Sequence, residues 1–178
     1  MSGWFVFLVL VAAINPPRLR PHIEVRTRPA QTLSAALIVL GAGALLIGVA
    51  AGLLDALEIT VETWHLGAGV VGVLVGARVL VAPGLTGIEV PDGWAAAVAP
   101  FVFPLLFTPQ LAALLVLLGT TGSKTASIGW LAIALAATIG VCGVPHRRPG
   151  LWSATARFLG ALLVILSVAL VVAGIRDV

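Results

Sequence analysis

The chain has 178 residues, of which 60% are hydrophobic and only 10% charged, with a mean hydropathy of +1.16. So apolar a surface excludes a water-soluble single-core domain. The formal charge of +3 rests on few residues, Lys124 being the only lysine among ten basic side chains, so it bears on membrane topology and not on nucleic acid, for which no partner role is expected.

Six segments reach, or can be completed to, the roughly 20 apolar residues that a spanning helix needs. The first, Trp4 to about Ile23, begins as MSGWFVFLVLVAAINPP. It lacks the basic leading region of a signal peptide and is expected to be a membrane segment. The stretch INPPRLRP interrupts it at Asn15-Pro16-Pro17 and places Arg18 and Arg20 just beyond. A proline has no backbone donor and clashes with the preceding turn, so the helix cannot pass undisturbed. The second segment is Thr32–Leu54, uncharged until Asp55, and the third is Trp64–Ala82, with Arg78 near its end. The fourth, Trp94–Gly119, is broken in FPLLFTPQ at Thr108-Pro109-Gln110; the fifth is Ser127–Val144 and the sixth Ser153–Gly174.

Arginines sort the connecting loops by side. Arg18, Arg20, Arg26 and Arg28 cluster around the first loop, and Arg147, Arg148 and Arg157 around the fifth. The second loop carries Asp55, Glu58 and Glu62 without a base, and the fourth only Lys124. The odd loops are therefore expected in the cytoplasm and both termini outside. The third loop, with Glu89 and Asp92 against Arg78, adds little, because acidic residues weigh weakly in this rule.

A constant shift of 93 positions (15 to 108) relates the two halves. It carries Asn15-Pro16 onto Thr108-Pro109, Thr32-Leu33-Ser34 onto Thr125-Ala126-Ser127, and Leu66-Gly67-Ala68 onto Leu159-Gly160-Ala161. Three spans per half would invert the second copy across the membrane. The expected fold is one all-α transmembrane domain over 1–178, built as a 3+3 inverted repeat of 4–82 and 97–175, with helices 1 and 4 broken at prolines. Small residues at helical spacing predict the packing faces: Gly41, Ala44, Gly48 and Gly52 on the second segment; Gly69, Gly72 and Gly76 on the third; Ala156 and Gly160 on the sixth. Gly174 and the pair Gly84 and Gly87 read as helix ends or turns.

Arg18 and Arg20 are the foremost candidates for function. An arginine at the centre of a bilayer costs about 2.5–3.5 kcal/mol on insertion scales and needs a partner. Two readings stay open. The first segment ends near Pro17 and both arginines are cytoplasmic anchors, or it continues as the fourth does and they stand beside unwound backbone in a polar cavity. In the second reading Asn15, Pro16, Pro17, Arg18 and Arg20 form an anion-binding site with Thr108, Pro109 and Gln110. Arg78 reads as a lipid-phosphate anchor, and Trp64-His65, like Trp4, Trp94, Trp130 and Trp152, as part of interfacial belts. His22 with Glu24, and His146 with Arg147, read as solvated. No metal-ligand spacing, phosphate loop or nucleophile motif is present, Cys142 is the sole cysteine, and neither a cofactor nor an enzymatic activity is expected.

Six short spans, two broken helices and inverted halves resemble the LysE superfamily of small exporters. INPPRLRPHIEVRTRPAQTLSAAL resembles the first-loop signature of the actinobacterial GAP-type, sulfolipid-addressing proteins, with Asn15 where that group has an acidic residue. HLGAGVVGVLVGARVL and ARFLGALLVILSVALVVAGI resemble the third and sixth helices of MarC-type proteins, and FPLLFTPQ their fourth, with Thr108-Pro109-Gln110 in place of Gly-Pro-Gly. The resemblance implies export or translocation of a small or amphipathic solute across a bacterial cytoplasmic membrane, with the broken helices near its path. The expected partners are membrane lipids, an anionic lipid or small carboxylate as substrate, and a membrane-protein partner or second copy. A competing class is a non-transporting accessory subunit of a lipid-export or envelope-biosynthesis assembly.

The arginine asymmetry makes a direct prediction. Single cysteines introduced between Arg26 and Pro29 should be labelled only from the cytoplasmic side. Neutralising Arg26, Arg28, Arg147 and Arg148 together should produce a mixed orientation in the same assay, and outer-face labelling of the unmodified loop would overturn the assignment.

Overall fold

The computed structural model describes residues 3–19, 29–83, 101–143 and 149–176, and among these the only regular secondary structure is helix, with no strand. Six α-helices follow in order: α1, Gly3–Ile14; α2, Pro29–Ala56; α3, Val61–Val81; α4, Pro109–Thr121; α5, Lys124–Cys142; and α6, Pro149–Arg176. One further turn, 16–19, continues from α1, and a π-wound stretch, Phe101–Leu106, precedes α4. The remainder of the first segment with Arg20, the loop residues Arg26, Arg28, Arg147 and Arg148, the pairs His22/Glu24 and His146/Arg147, Gly84, Gly87 and Trp94 lie outside the described residues.

Four of the helices, α2, α3, α5 and α6, are long and apolar enough to cross a membrane; the helical stretches of the first and fourth segments are shorter. A proline follows each interruption within the described residues, at Asn15, Phe103 and Thr108. Helix α1 stops at Ile14 because Pro16 disfavours helical geometry at the residue before it, and Asn15 takes a left-handed φ of 51°. Asparagine is among the few residues that tolerate that region. In the fourth segment Phe103 leaves helical geometry (φ −129°, ψ 125°), and Thr108 is extended, so α4 begins at Pro109. The Thr108-Pro109 step is thus a helix start: the threonine hydroxyl accepts from Leu111 N at 3.3 Å, and proline at the first position forfeits no hydrogen bond.

Other helix ends are equally local. Glu58 (φ 53°) closes α2 in the left-handed conformation, with Ile59 N donating to Leu54 O and Glu58 N to Asp55 O. Thr60 and Ser123 cap α3 and α5.

Packing is most extensive between α3 and α6, which run antiparallel. Gly76 abuts Gly160, Gly72 abuts Ser167, and Gly174 meets Glu62 and Leu66 at the other end. Gly174, in the last turn of α6, is therefore a packing residue as well as part of a helix end. Helices α2 and α4 run parallel, Gly43 facing Leu115 and Gly119 facing Ile47 and Ala50. So do α1 and α5, where Gly3, Trp4 and Phe7 meet Trp130 and Pro16 meets Cys142. Further pairings join α2 with α5, α3 with α4, α1 with α6, and α1 with α4. The expected small-residue face of α2 points elsewhere: a Cβ on Gly41, Gly48 or Gly52 would meet no neighbour, and only the Gly48 carbonyl is engaged, by Lys124 Nζ at 2.8 Å, while Gly43 and Gly119 make the close approach instead.

Leu10, Leu111, Leu115, Leu131 and Ile47 are fully buried at the centre, while Leu37, Leu45, Leu74, Phe158, Ile165 and Val172 point outward. Large apolar side chains both inside and outside the bundle fit a chain that crosses a membrane. Trp64, expected in an interfacial belt, is half-buried and donates from Nε1 to Ala113 O at 3.0 Å, tying α3 to α4.

The α3–α6 seam can be tested. A Cβ on Gly76 would stand 2.8 Å from the carbonyl oxygen of Gly160, whereas one on Gly48 meets open space. Gly76→Ala should lower unfolding stability in detergent by about 1–3 kcal/mol, the usual cost of overpacking. Gly48→Ala should leave it unchanged or raise it slightly through helix propensity.

Candidate functional site

The residues around the two interruptions meet. Ala13 sits one turn before Pro17, so its carbonyl has lost the donor that a continuous helix would supply. Gln110 replaces that donor, Nε2 reaching Ala13 O at 3.1 Å from the first turn of α4. Asn15 Nδ2 reaches across to Ala156 O on α6 at 3.0 Å. Both amides are buried, Asn15 3% and Gln110 4% exposed, so neither bond competes with water.

Beside these bonds lies a cavity of about 350 Å³. Asn15 and Arg18 line it from the α1 break, Thr108, Pro109 and Gln110 from the start of α4, and Val75, Arg78 and Val79 from the last turns of α3. Of the residues expected at the site, Asn15, Arg18, Thr108, Pro109 and Gln110 are thus brought together. Pro16 and Pro17 are buried beside the cavity's α1 wall without lining it, and Arg20 lies outside the described residues. Pro16 acts through its backbone, its carbonyl meeting Cys142 Sγ at 4.0 Å.

Arg78 is a cavity-lining residue that the sequence did not single out for the site. Expected to reach lipid phosphate, it lines the same cavity as Arg18, exposed at the rim, while Arg18 is half-buried. Helical phase gave the only hint, since Val75, Arg78 and Val79 share one face at i, i+3 and i+4.

Two buried polar atoms here have no hydrogen-bond partner: the acceptor Asn15 Oδ1 and the donor Arg18 Nε. The described acidic residues Asp55, Glu58 and Glu62 lie in the last turn of α2, in the turn that follows and in the first turn of α3. Glu62 is separated from Arg78 by sixteen positions of α3, about 24 Å at 1.5 Å per residue, too far to neutralise it. The amino-terminal end of α4, with its positive dipole end, opens on the same space. Positive charge, unused polar atoms and a helix amino terminus together suit an anion.

A second cavity of about 250 Å³ lies at the opposite end of α1, between Gly3, Thr121, Ser123, Ser127 and Trp130. The buried leucines Leu10, Leu111, Leu114 and Leu115 occupy the stretches of α1 and α4 that separate the two spaces.

No protein-family model, curated protein or solved structure matches the chain. The geometry therefore carries the functional argument.

The amide ties predict a graded mutational response. Asn15→Gly keeps the left-handed backbone but loses the bond to Ala156, and should cost about 1 kcal/mol in detergent unfolding. Asn15→Val adds backbone strain of about 1–3 kcal/mol and should be clearly worse. Gln110→Leu strands the Ala13 carbonyl and should cost about 1–3 kcal/mol, whereas equal stability of all three variants would deny these bonds a structural role.

Proposed function

We propose that the chain is a small multi-pass membrane transporter that exports or translocates an anionic amphipathic solute or lipid, with the Arg18 cavity as its substrate site. The observation that carries this reading is the meeting of the two interrupted segments around a cavity with two arginines and no described carboxylate. An apolar bundle retains such an arrangement at a cost unless an anion compensates it. Guanidinium groups match phosphate or carboxylate through a planar fork of donors.

The proposed architecture is a 3+3 inverted repeat of 4–82 and 97–175, in keeping with the LysE superfamily of exporters. Exchanging α1 with α4, α2 with α5 and α3 with α6 turns the parallel α2–α4 pair into the parallel α5–α1 pair, and the α3–α4 pair into α6–α1. The antiparallel α3–α6 pair maps onto itself, as a two-fold axis in the membrane plane requires. Each half's interrupted segment is also tied by a side chain-to-carbonyl bond to the third helix of the other half, through Asn15 to Ala156 and Trp64 to Ala113. In the proposed bacterial cytoplasmic membrane both termini lie outside and the cavity opens toward the cytoplasm.

The open face of α2, where Gly41, Gly48 and Gly52 lie between exposed Leu37, Leu45 and Val49, favours a second reading in which a membrane partner or second copy packs there. The internal cavity favours transport over a purely accessory role.

Substitution tests the site. Arg18→Gln combined with Arg20→Gln should reduce binding of an anionic phospholipid to the purified protein at least about tenfold, the scale of one lost charged hydrogen bond, with folded protein retained in the membrane. Arg18→Lys should restore it in part. Undiminished binding in the double glutamine variant would remove the anion site.

A further inference from the structure

Arg18 alone would suit a singly charged phosphodiester, but the cavity offers more. Arg78, on α3, contributes a second guanidinium to the lining, and no described acidic residue offsets either one. Asn15 adds the opposite polarity. Its Nδ2 is committed to Ala156 O, which leaves Oδ1 as a buried acceptor without a partner, and Asn15 itself is 3% exposed. A ligand that satisfied this site would present negative charge to two arginines and a hydrogen-bond donor to one carbonyl oxygen.

Resting on the anion-site reading, we propose that Arg78 is a second binding arginine and that the cavity takes a phosphate monoester with a neighbouring hydroxyl. The phosphate lies between Arg18 and Arg78, and the hydroxyl donates to Asn15 Oδ1. A monoester carries about −1.5 to −2 charges at neutral pH and three acceptor oxygens, so it engages two guanidiniums where a diester has one charge to share. A volume of about 350 Å³ lies within the roughly 300–1,000 Å³ of small-molecule sites and accommodates the headgroup, with any acyl chain left in the bilayer. Exposure of Arg78 at the rim gives the phosphate a way in, and the half-buried Arg18, with its unpartnered Nε, receives it further inside.

The same chemistry occurs in a lysophospholipid and in a soluble polyol phosphate, and the test separates them. Full-length protein in detergent is titrated with lysophosphatidic acid, phosphatidic acid, phosphatidylglycerol and glycerol 3-phosphate, with binding followed by native mass spectrometry and calorimetry. Lysophosphatidic acid should bind about tenfold more tightly than phosphatidylglycerol, the difference made by one charged hydrogen-bonded contact. In Arg78→Gln that ratio should fall to within about twofold while phosphatidylglycerol binding persists, because Arg18 remains. In Asn15→Gly the advantage of lysophosphatidic acid over phosphatidic acid, which lacks the hydroxyl, should vanish. Comparable binding of glycerol 3-phosphate assigns a soluble substrate, and its exclusion a lipid one. An unchanged monoester-to-diester ratio in Arg78→Gln overturns the proposal and returns Arg78 to the lipid interface. Absence of any anion binding by the unmodified protein, or phosphatidylglycerol binding that survives Arg18→Gln, overturns the anion-site reading itself.

Discussion

Hydrocarbon offers no hydrogen bonds, so every backbone group that a helix break releases must be met from within the protein. That constraint organises the arrangement around the cavity. Two consecutive prolines remove the donors that Ala12 and Ala13 would have used, and the bundle answers at Ala13 with Gln110 from another helix. Having brought α4 to the α1 break, the same constraint fixes where α4 begins, since Gln110 follows directly on the Thr108 cap and Pro109. Asn15 completes the junction by tolerating a left-handed backbone and reaching α6. The cavity is what remains beside this junction of α1, α4 and α6, with α3 closing it through Val75, Arg78 and Val79.

Holding the break open has a consequence for charge. Arg18 follows Asn15 by one turn, and its backbone N donates to Asn15 O at 3.0 Å, so the turn after the break is ordered and carries the guanidinium to a defined place. Measured along α1, Asn15 lies about 18 Å from Gly3. Snorkelling would free Arg18 at the interface, yet its Nε stays buried. The ordered turn therefore holds a half-buried cation whose Nε has no partner within the protein.

Much of this was legible in the sequence, and the reasons differ by element. Apolar length located the helices, and the glycine spacing of the third and sixth segments located their seam, because backbones in lipid approach only where side chains are small. The same spacing in the second segment pointed to a face that is open within the chain, since a small-residue stripe does not name its partner. Thr108-Pro109 reads in the sequence as a break within one helix; the stretch before it, with Phe103 out of helical geometry, and the extended Thr108 make it a capped start. Arg78 was not singled out for the site because counting residues gives depth along a helix and not the direction a side chain faces. The start of α4, packed against α3, and the α1 break together make the space that Arg78 lines.

Two cavities at opposite ends of α1, with buried leucines between them, also bear on how such a protein would move a solute. Leu10, Leu111 and Leu115 are fully buried and packed in one cluster, and the α1 and α4 stretches that bear them run away from the two breaks. A helix interruption transmits little of the rigidity of a continuous ladder, so Asn15 and Thr108 are the positions where α1 and α4 can tilt against the α3–α6 pair with the smallest loss of backbone bonding. That pair is fixed by glycine contacts too close for independent sliding. Under the transport reading, the rigid seam and the two interrupted segments divide the labour. The seam sets the frame, and parting the leucine layer needs motion only in the segments whose interruptions already surround the cavity.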